Sequence, residues 1–186
     1  MNKSKKNFGR LPGDLSKQEL IARVIRVNQA GEYGAKRIYE GQLAVLGGTK
    51  DGPVLQKMAE TEEVHLDTFN KFLVERRVRP TVLTPLWHLA GFALGAGTAM
   101  MGREVAMACT VAVEQVIEEH YTGQVDQLSD EEEPELLDTI EKFRNEEVEH
   151  KHTALAEGAE KAPGYPLLLG AVKSGSRLAI WLSERI

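Results

Sequence analysis

The sequence is poor in cysteine and has no excess of basic residues. Its 186 residues include one cysteine, Cys109, which excludes an internal disulfide and a site of four thiolates and fits a reducing compartment. The formal net charge of -5 gives no broad cationic surface of the kind that nucleic-acid binding requires. We therefore expect Cys109 to be a small core side chain, and we expect no nucleic-acid partner.

A secretory signal is also missing. The first fifteen residues, MNKSKKNFGRLPGDL, are basic but contain no apolar run, so nothing in them directs export. We expect a flexible basic segment over residues 1–15 and one folded domain over residues 16–186, inside the cell, with a clipped mitochondrial form as an open alternative. A hydrophobic fraction of 42% is sufficient for this domain to bury a core.

Helix start and stop signals divide the chain into four long helices and a shorter closing one. Ser16 and Glu19 predict a capping box at the start of the first helix. Asp51-Gly52-Pro53 predicts a cap and an N1-type proline at the start of the second. An acidic turn at 130–134 precedes the fourth. The expected helices end near Leu46, Arg77, Leu128, Lys161 and Glu184, the third starting at Arg103 and the last at Leu167.

An internal repeat relates the first pair of helices to the second. Four residues recur 82 positions later: Glu32, Tyr39, Gly41 and Gln42 as Glu114, Tyr121, Gly123 and Gln124. Two more recur 85 positions later: Glu62 and His65 as Glu147 and His150. The second unit thus has three extra residues in its turn. Two similar helical hairpins predict one all-α bundle.

Each helix of this bundle places acidic residues in an otherwise mostly apolar row. On the second helix, positions spaced by three and four are Leu55, Met58, Glu62, His65, Phe69 and Phe72. The fourth helix repeats the row as Leu136, Ile140, Phe143, Glu147, His150 and Ala154. Glu32 is in line with Ile21, Ile25, Asn28, Ala35 and Tyr39, and Glu114 with Met107, Thr110, Ile117 and Tyr121. Four glutamates and two histidines are therefore expected to face one core.

Four carboxylates in one core need a neutralising partner. A carboxylate buried without one costs at least several kcal/mol, so the bundle would unfold or take up protons. Two divalent cations would supply a charge of about +4, and each Glu-x-x-His pair offers an oxygen and an imidazole from one helix face. A lone pair of this kind is common on solvated helices, but two matched copies are not. We predict a ferritin-like bundle in which two metal ions are held by Glu32, Glu62, His65, Glu114, Glu147 and His150.

Other polar residues near the pairs are expected to stay outside the cluster. Glu63 and His152 lie two positions from the paired histidines, and helix positions two apart point in different directions. Glu118 is expected at the surface, although a position behind the ligands is the alternative. Tyr39 and Tyr121 lie two turns from the outer glutamates, where each phenol could hydrogen-bond a carboxylate or simply fill the core.

An uncharged segment precedes the third helix. Residues 81–102, TVLTPLWHLAGFALGAGTAMMG, are long enough to consider as a membrane span, but Pro85 and several glycines interrupt them. A continuous helix from Pro85 to Tyr121 would be on the order of 55 Å long. We therefore argue against a simple span and expect part of this segment to project from the bundle or to fold over its end.

This segment has three possible roles: a membrane-facing surface, an oligomer interface or a buried capping hairpin. Gly91 and Gly95 would permit close helix packing in the last two. We favour the membrane surface, because Trp87 is typical of membrane interfaces and the C-terminal helix, an amphipathic helix over residues 167–184, adds Trp181 with Lys173 and Arg177. The prediction is a monotopic apolar patch beside the metal site.

Several longer strings resemble the demethoxyubiquinone hydroxylase family. They are AGEYGA at 30–35, RPT at 79–81, GFALGAG at 91–97, CTVAVE at 109–114 and LSER at 182–185. The resemblance covers residue 20 to the end. It implies a di-iron monooxygenase that hydroxylates the ring of demethoxyubiquinol with dioxygen, using electrons from the quinol or from NADH. The family's six ligand positions fall on the six residues predicted above.

The resemblance also implies roles and partners. Glu62 and Glu147 would bridge the two irons, and Tyr121 would support the ligands. The quinol ring would approach from a membrane while its isoprenoid tail stays in lipid. The protein would lie on the cytoplasmic face of a bacterial inner membrane, or on the matrix face of the mitochondrial one. A lipid-binding accessory protein and a second copy are further expected partners, and ferritin-like iron storage is the alternative function.

Overall fold

A computed structural model of the protein describes Gly13, residues 15–128 and residues 133–186. The described residues contain six α-helices and a short 3-10 turn, with no strand, so the all-α prediction is confirmed. The helices are α1 (Lys17–Leu46), α2 (Gly52–Glu75), α3 (Thr84–Met100), α4 (Arg103–Gln127), α5 (Pro134–Ala156) and α6 (Tyr165–Ser183). Most of the predicted basic segment 1–15 and of the acidic turn 130–134 lies outside the described residues.

Helices α1, α2, α4 and α5 form the predicted ferritin-like bundle. Helix α1 packs against α2 and α4 packs against α5, so both hairpins form. The hairpins face each other with α1 and α4 antiparallel, because Asn28 hydrogen-bonds Gln124 while Gln42 hydrogen-bonds Thr110. Helix α3 returns the chain from the end of α2 to the start of α4, which is the single long crossover of ferritin-like folds.

The apolar rows predicted on the bundle helices face the core. Every member of the rows on α2 and α5 is buried, and none is more than 7% exposed. Burying each large apolar side chain contributes roughly 1.5–3 kcal/mol, so these rows fix the rotation of both helices. Cys109 is fully buried on α4, as expected of a small core residue.

The start of α1 agrees with the sequence, and the start of α2 agrees only in part. The Glu19 backbone N–H donates to Ser16 Oγ at 3.2 Å, and the Ser16 N–H donates to the Glu19 carboxylate at 2.7 Å. Asp51 does not cap α2, so that prediction is wrong. Its backbone is already helical, and its carboxylate instead accepts a 2.6 Å hydrogen bond from Arg103 at the start of α4.

Two predicted helix ends are too late in the chain. Helix α2 ends at Glu75, and Arg77 takes a left-handed backbone conformation with φ 52°. Helix α5 ends at Ala156 rather than near Lys161, because Gly158 has φ 92° and only a 3-10 turn follows it. In both places the chain turns within a few residues of the helix end.

The apolar segment before α4 does not project from the bundle or fold over its end. Helix α3 runs along α1 in the same direction. Gly102, with φ 121°, then separates α3 from α4. The two backbones approach so closely that a Cβ at Gly95 would overlap the Ile38 carbonyl oxygen, and one at Gly41 would overlap that of Phe92. None of the helices in the described ranges is long and apolar enough to cross a membrane.

Helix α6 closes the structure beside α3 and α4. Lys173 and Arg177, expected to border a membrane surface, instead pair with Glu119 of α4 at 3.3 and 2.8 Å. Trp87 is half-buried, and its indole N–H donates a 3.0 Å hydrogen bond to Ser183 Oγ. These residues therefore attach α6 to its neighbours. The outer faces of α3 and α6 still expose large apolar side chains, among them Leu86, Leu89, Leu178 and Trp181.

Candidate metal centre

Six side chains from four helices meet in the middle of the bundle. The outer glutamates come from α1 and α4, while α2 and α5 each supply a Glu-x-x-His pair. No glutamate among them is more than 1% exposed, and the most exposed of the six, His150, is 7% exposed. The structure thus brings together all the residues predicted as ligands, which are Glu32, Glu62, His65, Glu114, Glu147 and His150.

These residues form two overlapping groups. The groups are Glu32, Glu62, His65 and Glu147, and Glu62, Glu114, Glu147 and His150. In each group the potential ligand atoms, one from each residue, all lie within 4.8 Å of one another. Glu62 and Glu147 belong to both groups, which is the placement that a bridging carboxylate requires.

The two histidines reach between the hairpins in a symmetric way. His65 Nδ1 lies 3.0 Å from Glu147 Oε1, and His150 Nδ1 lies 3.0 Å from Glu62 Oε1. Each distance joins the imidazole of one hairpin to the shared carboxylate of the other. The Nδ1 atom is therefore the ring nitrogen that faces the cluster in both histidines.

Eight buried atoms of these six side chains have no hydrogen-bonding partner among the described residues. They are both oxygens of Glu62 and of Glu147, the Oε2 atoms of Glu32 and Glu114, and the Nδ1 atoms of His65 and His150. Leaving one buried polar group unsatisfied costs about 1–3 kcal/mol, so eight around one space need a common partner. Carboxylate oxygens and imidazole nitrogens are donors that divalent iron and manganese accept, and the residues therefore fit two such ions.

Burial and mutual repulsion change the proton affinities in the cluster. Burial raises the pKa of Glu62 and of Glu114 well above the usual carboxyl value, and the charge of Glu147 raises both further. Burial also tends to raise the pKa of Glu147, but the imidazoles of His150 and His65, whose Nδ1 atoms lie 3.4 and 3.0 Å from its oxygens, outweigh burial and lower that pKa. Without cations the cluster thus balances its charge with protons, as the charge argument predicted.

The repeated tyrosines hold the outer glutamates crosswise. Tyr39 of α1 donates a 2.7 Å hydrogen bond to Glu114 of α4, and Tyr121 of α4 donates one to Glu32 of α1. Both tyrosines are 1% exposed. Each phenol therefore supports the carboxylate of the opposite hairpin, which includes the supporting contact proposed for Tyr121.

Three polar residues expected outside the cluster lie outside it. Glu63 is largely exposed and pairs with Lys36 at 2.9 Å. His152 is exposed on α5. Glu118 is partly exposed and forms an ion pair with Lys151 across α4 and α5. The helix positions of Glu63 and His152 separate them from the buried face, as the spacing argument stated.

Two contacts around the cluster were not predicted. Glu146 Oε2 lies 2.7 Å from His65 Nε2, the nitrogen that faces away from the cluster. Asn28 and Gln124 exchange two amide hydrogen bonds of 2.8 Å between α1 and α4. The recurrence of glutamine at position 124 was a signal for the second contact. Glu146 gave no such signal, because its partner is on the other hairpin and nothing recurs at its position.

An apolar cavity of about 350 Å³ lies between α1, α3, α4 and α6. Gly31 and Ala35, on either side of Glu32, contribute to its wall on α1, and Val113, next to Glu114, contributes on α4. Trp87 lines it from α3. Among the described residues that line it, none carries a charge. The cavity thus shares α1 and α4 with the cluster.

Two repeated hairpins around four buried glutamates and two histidines define the ferritin-like class of helical bundle, in which such residue sets hold two metal ions. Within that class, the family model described as ubiquinone biosynthesis protein COQ7 matches residues 19–183, and the chain belongs to this family. The resemblance seen in the sequence is thereby confirmed.

Three relatives are named as hydroxylases of demethoxyubiquinone or of its quinol. The chain is 57% identical over 178 residues to a 3-demethoxyubiquinol 3-hydroxylase of Rhodospirillum rubrum, covering 95% of this chain and 84% of the relative. It is 56% identical over 170 residues to the mitochondrial NADPH-dependent 3-demethoxyubiquinone 3-hydroxylase of Homo sapiens, covering 89% and 78%. It is 44% identical over 182 residues to the mitochondrial 5-demethoxyubiquinone hydroxylase of Saccharomyces cerevisiae, with 89% and 78% covered.

Proposed function

We propose that this protein is a di-iron monooxygenase that hydroxylates the ring of demethoxyubiquinol with dioxygen in a late step of ubiquinone synthesis. The observation that carries the proposal is the pair of overlapping ligand groups sharing Glu62 and Glu147, in a chain of the COQ7 family. The names of the relatives identify the reaction. The ligand groups supply the kind of site that the reaction needs.

In this proposal Glu32 and His65 would hold one iron, Glu114 and His150 would hold the other, and the two shared carboxylates would serve both. When bound and reduced, two irons would supply the redox chemistry that the reaction with dioxygen requires. The protein's part is to keep the ligands in place: Tyr39 and Tyr121 restrain the outer glutamates through hydrogen bonds. The buried position of the cluster excludes water from it.

The apolar cavity is the proposed binding place of the quinol ring. Its uncharged wall suits a ring with an isoprenoid tail, and it shares α1 and α4 with the cluster. Trp87 of α3 and Ser183 of α6, which are hydrogen-bonded to each other, both line it. A tail passing between α3 and α6 would reach the exposed apolar residues on their outer faces.

Those outer faces are the proposed membrane-binding surface. The side chains of Leu89 and Trp181 are 69% and 51% exposed, and large apolar side chains at the surface favour contact with the edge of a bilayer. We place the protein peripherally on the cytoplasmic face of a bacterial inner membrane, or on the matrix face of the mitochondrial one. The lipid-binding accessory protein and the second copy stay predictions.

The electron donor is a nicotinamide nucleotide in this proposal. The sequence left the quinol itself or NADH as the source of electrons, whereas the human relative is named as NADPH-dependent. Ferritin-like iron storage, the alternative that the ligands allow, is not favoured, because the relatives at 57% and 56% identity are named as hydroxylases.

The test is a reconstituted reaction. Purified protein is loaded with iron(II) without oxygen and then mixed with demethoxyubiquinone, air and either NADPH or NADH, and the quinone is analysed by mass spectrometry. We expect a product that has gained one oxygen atom, and we expect Glu62→Ala to abolish it while Glu63→Ala does not. An iron-loaded wild-type protein that leaves the quinone unchanged with both nucleotides would rule out the proposed reaction.

A further inference from the structure

Among the positions at which the two hairpins differ, two carry side chains that contact a ligand. With the offset of 85 that relates Glu62 to Glu147, Glu146 of α5 corresponds to Thr61 of α2, and Phe143 corresponds to Met58. The ligands themselves are identical in the two units. The surroundings of the two imidazoles are therefore different although their ligand roles match.

On one side, two groups of α5 fix the ring of His65. Glu146 Oε2 lies 2.7 Å from His65 Nε2, and Glu146 Oε1 lies 3.9 Å from Lys142 Nζ. The ring of Phe143 stacks on the imidazole, with 3.8 Å between ring centroids and 24° between planes. A carboxylate on the outer nitrogen and a ring against its face leave the imidazole one orientation, with Nδ1 toward the cluster.

On the other side, His150 has neither contact. In the described part of the chain, no carboxylate or other group hydrogen-bonds its Nε2 atom, since Thr61 stands where the symmetry would place the acid. Its aromatic neighbour is Tyr39, edge-on with 6.2 Å between centroids. The His150 side chain is 8% exposed and that of His65 is 0% exposed. His150 is thus the less restrained ligand.

We infer that the two metal positions are unequal, and that Glu146 makes the position of Glu32 and His65 the tighter one. Glu146 is a positioning residue that acts through the His65 ring. This inference rests on the dimetal site of the proposed function. A carboxylate on the outer nitrogen of a ligating histidine orients the ring and increases its basicity, and its loss costs roughly ten- to hundred-fold in metal affinity.

Manganese(II) binding to the metal-free full-length protein tests this inference without turnover. The unbound ion is measured by its electron paramagnetic resonance signal, which gives a dissociation constant for each position. We expect two different constants in the wild type. Glu146→Gln should weaken the tighter one roughly ten- to hundred-fold and leave the other unchanged. Glu149→Gln, the same substitution at an exposed position of α5, should change neither.

The reverse change gives a second, independent test. Thr61→Glu places a carboxylate on α2 where the symmetry puts it near His150, and it should strengthen the weaker position and bring the two constants together. Equal constants in the wild type, or an unchanged tighter constant in a folded Glu146→Gln protein, would overturn the inference. If Glu146→Gln does not fold, an unchanged weaker constant in Thr61→Glu overturns it. Fewer than two ions bound by the wild type would instead overturn the dimetal site.

Discussion

Tyr39, on the first hairpin, donates a 2.7 Å hydrogen bond to Glu114, on the second. The counterpart residues repeat the contact in the opposite direction, from Tyr121 to Glu32. Since both tyrosines and both glutamates are buried, these bonds form where water cannot replace them. Each outer glutamate is therefore held by the hairpin to which it does not belong.

Removing either phenol should destabilise the metal-free protein. Tyr39→Phe leaves Glu114 without its donor, so the free energy of unfolding should fall by about 1–3 kcal/mol. Urea denaturation measures it. Tyr33→Phe is the matched control, because its phenol contacts His88 at an exposed site, and its effect should stay within about 0.5 kcal/mol. An equal fall in the free energy of unfolding in the two variants would show that the buried hydrogen bond stabilises the protein no more than the exposed one.

The shared carboxylates should control the iron content of the protein. Glu147→Ala removes a ligand from both groups, so bound iron should fall from about two per chain toward none, whereas Glu32→Ala leaves the second group complete and should retain about one. Elemental analysis after loading with iron(II) measures this. His152→Ala should keep the wild-type content. A loss of the same size from Glu32→Ala and Glu147→Ala would contradict the bridging assignment.

The stability of the metal-free protein should fall as the pH rises. Burial lowers the pKa of His150, but the adjacent carboxylates of Glu147 and Glu62 outweigh burial and raise this pKa from 6.5 to about 9. A pKa raised in the folded state gives stability that is complete below 6.5 and is lost as the pH rises through 9. The melting temperature should therefore decrease from pH 6.5 to 9.

The metal-loaded protein supplies the control for this pH dependence. A bound cation replaces the protons of the cluster, so the loaded protein should not show the decrease tied to His150. Scanning calorimetry of both forms over the same pH range measures the difference. A metal-free protein whose melting temperature is constant or increases from pH 6.5 to 9 would contradict the assigned proton uptake.

Two glycines of α3 should respond to the same substitution with opposite signs. A methyl group at Gly95 would overlap the Ile38 carbonyl oxygen, so Gly95→Ala should lower the free energy of unfolding by about 1–3 kcal/mol. Nothing lies within 4 Å of a Cβ at Gly97, so Gly97→Ala should raise it by about 0.5–1 kcal/mol through helix propensity. Thermal unfolding compares them. Destabilisation by both would show that α3 tolerates no added methyl group.

A charge on the outer face of α3 should weaken membrane binding. Leu89 is 69% exposed, and inserting such a side chain into a bilayer edge is worth roughly 1.5–3 kcal/mol, so Leu89→Asp should reduce binding about ten-fold or more. Flotation with phospholipid vesicles measures the bound fraction. Val64→Asp, at a 56% exposed position of α2, should bind as the wild type does. Equal binding by Leu89→Asp would exclude this face as the membrane surface.

The ligand positions could be predicted because their signal is local and repeated. Glu62 and His65 interrupt an apolar row, and Glu147 and His150 interrupt its copy, so periodicity alone fixed the face on which they lie. The contacts between hairpins needed the tertiary structure. Glu146 is adjacent in sequence to a ligand but contacts the histidine of another helix, and helix periodicity carries no information about that pairing.

The path of the apolar segment was the main error in the predicted fold. Its length and its glycines predict that part of it projects from the bundle or folds over the bundle end. In the structure Gly95 instead lets α3 approach the α1 backbone, so the glycines mark a packed face. Trp87 likewise reads as an interfacial residue but hydrogen-bonds Ser183. An apolar, glycine-rich composition is compatible with close helix packing and with lipid binding. Which of the two occurs depends on the neighbouring helix.

Neither hairpin alone contains a complete metal-binding cluster. Each supplies one outer glutamate, one shared glutamate, one imidazole and one phenol, and each takes the partners of these groups from the other. Two separate copies of a single hairpin, related by a two-fold axis, would meet the same requirements. The chain is thus equivalent to a symmetric homodimer whose subunits have been joined through α3. Because both halves belong to one chain, their residues can differ, as Glu146 and Thr61 do.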